Sequence, residues 1–156
     1  MPTVTHLPRL QQSLADLDEA LAELALLAGD VPEPDDEPAI ADAMRERVAI
    51  IRGDVAESTA TLRDRDARAA LSACHERFNA IARRMSGELA TRAHVVEIVS
   101  IASDRGGAWT KWSDAMQQGL DRCAVAHDAV AASLLECWRG LAAPQLRPRL
   151  GRRSHV

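Results

Sequence analysis

At 156 residues, 47% of them hydrophobic and 27% charged, the chain has the size and composition of one globular domain with a single core. Tyr is absent and Phe occurs once, so Leu, Val, Ile, Ala and Met must build that core, which favours helix over strand. The net charge of −4 argues against a dedicated DNA-binding domain, and no apolar run approaches the ~18 residues of a membrane-spanning helix.

The stretch THLPRLQQSLADLDEALAELALLAGD predicts a first helix. Leu10, Leu14, Leu17, Leu21, Leu24 and Ala28 recur with spacings of four and three, and the acids fall between them on the wet side. Thr5 or His6 stands near its cap, Pro8 suits its first turn, and Gly29 is placed to close it in a left-handed conformation. Because this start is polar and interrupted by prolines, no secretory signal is read into it. DVPEPDDEPA, residues 30–39, is an acidic linker punctuated by prolines, leading to a second helix with Pro38 near its start.

The second helix carries Ile40, Met44, Val48, Ile51, Val55 and Leu62 at helical spacing, with Ile50 beside them and Gly53 as a weak point. At RDRDARAAL the stripe thins. Asp64 or Asp66 caps a third helix there, or one long helix runs through, so residues 38–103 are left open as one, two or three helices. The next stripe is Leu71, Cys74, Phe78, Ile81, Met85 and Leu89, continuing to Val96 and Val99, with Ser86-Gly87 as a kink. HVVEIVSI is β-branched, but no partner strand exists for it, so a strand over 94–101 is rejected.

SDRGG, 103–107, is the clearest break. After it Trp109, Trp112, Met116, Leu120, Cys123, His127, Val130, Leu134, Cys137 and Leu141 alternate threes and fours along a last helix that Pro144 is expected to end. The fold expected is an all-α antiparallel bundle of about four helices over 1–143, followed by a mobile basic tail over 144–156.

Charge is unevenly distributed. Residues 1–42 hold ten acids against Arg9, whereas Arg147, Arg149, Arg152 and Arg153 crowd the last ten positions. The acidic segment 16–37 is therefore a candidate partner for the tail, within one molecule or between copies. The same four arginines, with Arg83-Arg84, are the candidate phosphate contacts of a nucleic-acid-binding reading, although no aromatic platform interleaves with them. Lys111 is the single lysine, a usage typical of GC-rich bacterial genomes.

Cys123 and His127 stand four apart and share a helix face, the weak candidates for a metal site; Cys74-His75 and His94-x-x-Glu97 would have to complete it. Cys123 and His127 also occupy core positions of the stripe, so no metal and no cofactor are expected. Adjacent Cys74 and His75 diverge by about 100° on a helix and form no nucleophile–base pair. Phosphate cradle, nucleophile elbow and zincin motifs are all absent, which leaves no catalytic constellation. The three cysteines are odd in number and form no CxxC, as expected of buried thiols in a reducing, cytoplasmic setting.

The expected role is that of a non-enzymatic interaction or scaffolding subunit, an adaptor that oligomerises or docks on a protein partner through its last helix. The candidate partner-binding residues are Trp109, Trp112, Trp138 and Leu135, the last two lying beside the core stripe. Trp109 and Trp112 open the helix and Trp138 lies near its far end, so the three either cap the core or anchor a partner. The alternatives are a small subunit of a nucleoprotein complex and a metal-binding bundle.

Overall fold

The computed structural model describes residues 6–30, 38–89 and 107–154, and their side chains apart from those of 38–41, 88–89, 109 and 142–154. Within these, four α-helices pack into an all-α bundle and no strand occurs: α1 (Leu7–Gly29), α2 (Pro38–Thr61), α3 (Ala67–Arg83) and α4 (Ala108–Ser154). Residues 94–101, read above as not a strand, lie outside the described residues, as does most of the acidic linker.

α1 is the hub. Leu10, Leu14, Leu17, Leu21 and Leu24 are fully buried, each burial contributing about 1.5–3 kcal/mol. Their stripe is wide enough to meet two neighbours, α2 on one side and α4 on the other. Pairs across the α1–α4 seam run in opposite senses: Arg9 with Glu136, Ser13 with Ser133, Glu23 with Arg122, Leu27 with Trp112. Arg52 against Asp18 and Arg45 against Gly29 do the same for α1–α2, and Arg77–Glu57 with Arg84–Asp54 for α2–α3. All neighbouring helices are thus antiparallel. α3 packs on α2 and meets α4 more sparsely.

The helix ends follow local chemistry, with two corrections. Asp66 caps α3, its carboxylate accepting from Arg68 N at 3.1 Å and Ala69 N at 3.4 Å, so 38–89 is at least two helices. The expected kink at Ser86-Gly87 is a π-turn over Arg84–Leu89, where Ser86 Oγ donates back to Ala82 O. Gly107 has φ +80°, which only glycine adopts without strain, and it delivers the chain into α4.

Gly29, by contrast, is not left-handed. α1 tightens at its end through Asp30 N donating to Leu27 O at 3.1 Å, a right-handed finish that makes no use of glycine's freedom. Nor does Pro144 end α4, whose backbone stays helical to Ser154 through both Pro144 and Pro148. Both prolines stand at the heptad spacing of Leu141, so the amide protons missing at 144 and 148 lie along one side of the helix. The backbone of residues 144–154, read above as part of a tail, is helical and continuous with α4.

Candidate functional site

α4 carries the residues singled out for partner binding, and the bundle sorts them onto different sides. Trp112 is 5% exposed, and its indole Nε1 donates to Leu27 O at 2.6 Å. Trp112 is therefore a core residue closing one end of the bundle and not an exposed anchor: a buried N–H needs a partner, and the end of α1 supplies one. Trp138 is half-buried against the core, where it forms one wall of a shallow open groove with Ser72, His75 and Glu76 of α3. Leu135 is 50% exposed and points away from the bundle. Trp109 lies in the first turn of α4, and its side chain is outside the described residues.

The outward side of α4 holds more than these. Ala124, Val125, Ala131, Ala132 and Leu135 are all exposed, Val125 at 71%. Charge on this side is sparse between 124 and 139: Asp128, whose side chain is 86% exposed, and Arg139. The wet side of a surface helix normally carries charged and polar residues. An apolar outward side opposite a saturated inward one gives α4 two dissimilar apolar faces. Sequence reasoning found Leu135 but missed its neighbours, because single alanines carry little pattern.

The thiol and imidazole groups belong to the core. Cys74, Cys123 and Cys137 are free and fully buried. Burial pushes the thiols of Cys74 and Cys123 up to about 11. The Thr61 side chain eases the first and the charge of Arg122 the second. Cys137 is raised too, by burial and then by Glu136. His127 stacks on Phe78 with ring centroids 4.4 Å apart, joining α4 to α3. Its Nδ1 is 3.7 Å from Asp128 Oδ1, and its buried Nε2 has no hydrogen-bond partner among the described residues.

No three His, Cys, Asp or Glu side chains converge among the described residues, so Cys123 and His127 acquire no third ligand there. His75 is exposed while Cys74 is buried, the divergence expected of adjacent helical residues; His94 and Glu97 lie outside the described residues.

The acidic side of α1 is partly spoken for: Asp18 holds Arg52 Nε at 2.9 Å and Glu23 faces Arg122 Nε at 3.5 Å. Arg147, Arg149, Arg152 and Arg153 stand on helical backbone, with side chains outside the described residues. A second groove, between α1 and α2, is bordered by Gln11, Asp18, Arg52 and Arg63 over a floor of small residues; it too is open and shallow. None of the described helices is long and apolar enough to cross a membrane. No family model matches this chain, and neither a curated protein nor a solved structure does.

Proposed function

We propose that this chain is a non-enzymatic interaction subunit of the cytoplasm whose last helix presents its outward face to another protein. The observation carrying this reading is the exposed apolar strip of α4, from Ala124 and Val125 to Leu135, on a helix whose opposite side is already filled by the core. Exposed aliphatic residues gathered on one helix face mark contact surfaces when charge is sparse among them, and here Asp128 is the one charged residue on that side between Val125 and Leu135. Trp138, half-buried at the edge of the strip, supplies the aromatic rim.

The test compares two adjacent leucines by unfolding and by mass in solution. Leu134 is 3% exposed, so Leu134→Ala costs about 2–5 kcal/mol of stability and leaves association intact at a temperature where the fold persists. Leu135→Arg leaves stability within about 0.5 kcal/mol and dissociates the assembly. A chain that runs alone at every concentration and in every extract, or whose complexes ignore Leu135→Arg, overturns the reading.

A second reading, contact with nucleic-acid phosphates, draws on the four arginines that α4 carries past Leu141. Binding of labelled RNA or duplex DNA that weakens steeply with salt supports it; no binding at low salt removes it.

A further inference from the structure

α4 runs on past the first residue of α1, the helix it packs on. Arg9 in the first turns of α1 pairs with Glu136, and Leu141 is the last buried residue of α4 among those whose side chains are described. Beyond Leu141 the helix continues to Ser154, about 20 Å at 1.5 Å per residue. A helix of that length is marginal alone in water, and the two prolines within it make it more so. A helix of this kind gains stability from a surface to lie on.

The outward face of α4 is also polar along its length, in the sense of charge. Asp114, Asp121 and Asp128 occupy one heptad position in succession, and Leu135 takes the next. Arg139 and Arg153 follow two heptads apart, the same separation as Asp114 and Asp128. Asp114 and Arg139 are exposed, and neither has an ion-pair partner among the described residues. The outward stripe of α4, with Asp114, Asp121 and Asp128 in its first half and Arg139 and Arg153 in its second, is complementary to itself when turned end for end, although Lys111, Arg122 and Glu136 lie elsewhere on the helix.

We infer that α4 pairs antiparallel with α4 of a second copy across a two-fold axis near residue 133, setting Asp128 of each chain against Arg139 of the other. This rests on the reading of the outward face of α4 as an interface and names its occupant. The same register places Leu135 against Ala132, Val125 against Ala142, and Asp114 against Arg153, so one alignment satisfies both charge pairs and the apolar strip. Each segment beyond Leu141 then lies along the first half of the other chain's α4. The three remaining helices of each copy stay on the far sides. A two-fold interface of this kind is self-complementary: every contact occurs twice, and every charge change is felt twice.

The experiment is a charge exchange followed by sedimentation equilibrium, with circular dichroism and the unfolding midpoint confirming that each full-length variant is folded. Asp128→Arg sets arginines against arginines at both ends of the interface and Arg139→Asp sets aspartates against aspartates. Each alone weakens self-association more than tenfold. Mixed in equal amounts, the two variants associate with each other with an affinity near that of the wild type. The chain carrying both changes pairs with itself again. Asp114→Arg and Arg153→Asp repeat the pattern, which fixes the register through the segment beyond Leu141.

A wild-type chain that is monomeric overturns the inference, as do single variants that self-associate like the wild type, or a mixture that fails to associate. If the exchange pattern fails while Leu135→Arg still dissociates the assembly, the antiparallel pairing falls and the interface reading stands. If Leu135→Arg is also without effect, both fall.

Discussion

Trp112 and Leu27 lock the two longest-packed helices together at one end: the indole N–H of Trp112 donates to the carbonyl oxygen of Leu27 at 2.6 Å. That oxygen also accepts from Asp30 N at 3.1 Å, the bond that ends α1. One carbonyl thus serves both the close of α1 and the seating of α4, at a point where an unpaired indole N–H would be buried at a cost of about 1–3 kcal/mol.

Trp112→Ala is expected to destabilise the fold by about 3–5 kcal/mol, because it removes a large buried ring and leaves a cavity at the bundle end. Trp112→Phe keeps most of the packing and loses the hydrogen bond, for about 1 kcal/mol. Urea denaturation of the three proteins measures both. Association should be unaltered while the fold holds; a Trp112→Ala chain that unfolds like the wild type would show that the ring is not core.

Within the α1–α4 seam two hydroxyls meet out of water, Ser13 Oγ and Ser133 Oγ at 2.9 Å. Ser13 has a single hydroxyl proton and gives it to Arg9 O at 2.9 Å, so Ser133 is the donor of the shared bond. Ser13→Ala leaves Ser133 to turn back on its own helix carbonyls and costs about 1 kcal/mol. The double change to alanine is expected to be no worse than either single one, since it removes both buried hydroxyls. A double-mutant cycle in urea settles it: strictly additive losses would mean that the hydroxyls do not act as a pair.

Much of this architecture was legible because it is periodic. The leucines of α1 from Leu10 to Leu24 and the run Met116–Cys123–Val130–Cys137 of α4 lie at core spacing, and all are buried. The cap at Asp66 was legible because its cause is local. The close of α1 was not. Its last carbonyl bonds depend on Trp112, 85 positions away, and a glycine such as Gly29 that permits a left-handed turn does not compel one. Nor was the passage of α4 through Pro144, since a proline signals a helix end by what it removes, and a helix tolerates that loss on one side. Trp112 and Trp138 were legible as lying towards opposite ends of the last helix, Trp138 beside its core stripe, but not as one buried and one half-buried ring, because burial depends on where α1 stops and how loosely α3 meets α4.

Two helical glycines should respond oppositely to alanine. At Gly53 an added Cβ meets nothing within 4 Å, so Gly53→Ala gains about 0.4–1 kcal/mol of stability from the reduced freedom of the unfolded chain. At Gly119 the same atom comes within 3.0 Å of Leu24 Cδ1 and 3.1 Å of Leu27 Cδ1, because glycine lets α1 approach α4 there. The propensity gain is offset as both leucines shift within a close-packed seam. Thermal unfolding of the two variants should separate them, with Gly53→Ala above the wild type and Gly119→Ala at or below it. A Gly119→Ala protein stabilised as much as Gly53→Ala would mean that the seam is loose at this level.

The buried thiols should make this fold sensitive to alkali. An exposed thiol has a pKa of about 8.5, whereas burial pushes those of Cys74 and Cys123 up to about 11. The folded chain therefore holds these protons more tightly than the unfolded one, and the sign of the linkage follows: stability is undiminished below about pH 8.5 and declines as the pH rises towards 11. The chain has no tyrosine and one lysine, so few other groups titrate in that window to obscure the effect. Urea midpoints should hold steady from pH 7 to about 8.5 and fall between about pH 9 and 10.5. Cys74→Ala and Cys123→Ala should each start lower, for the lost packing, and lose less on the alkaline side. In the native protein at neutral pH all three thiols should react slowly with a disulfide reagent, at the rate of global or local opening. A midpoint flat to pH 10.5 in the wild type, or fast labelling of Cys123, would show that these sulfurs are not shut in the seam.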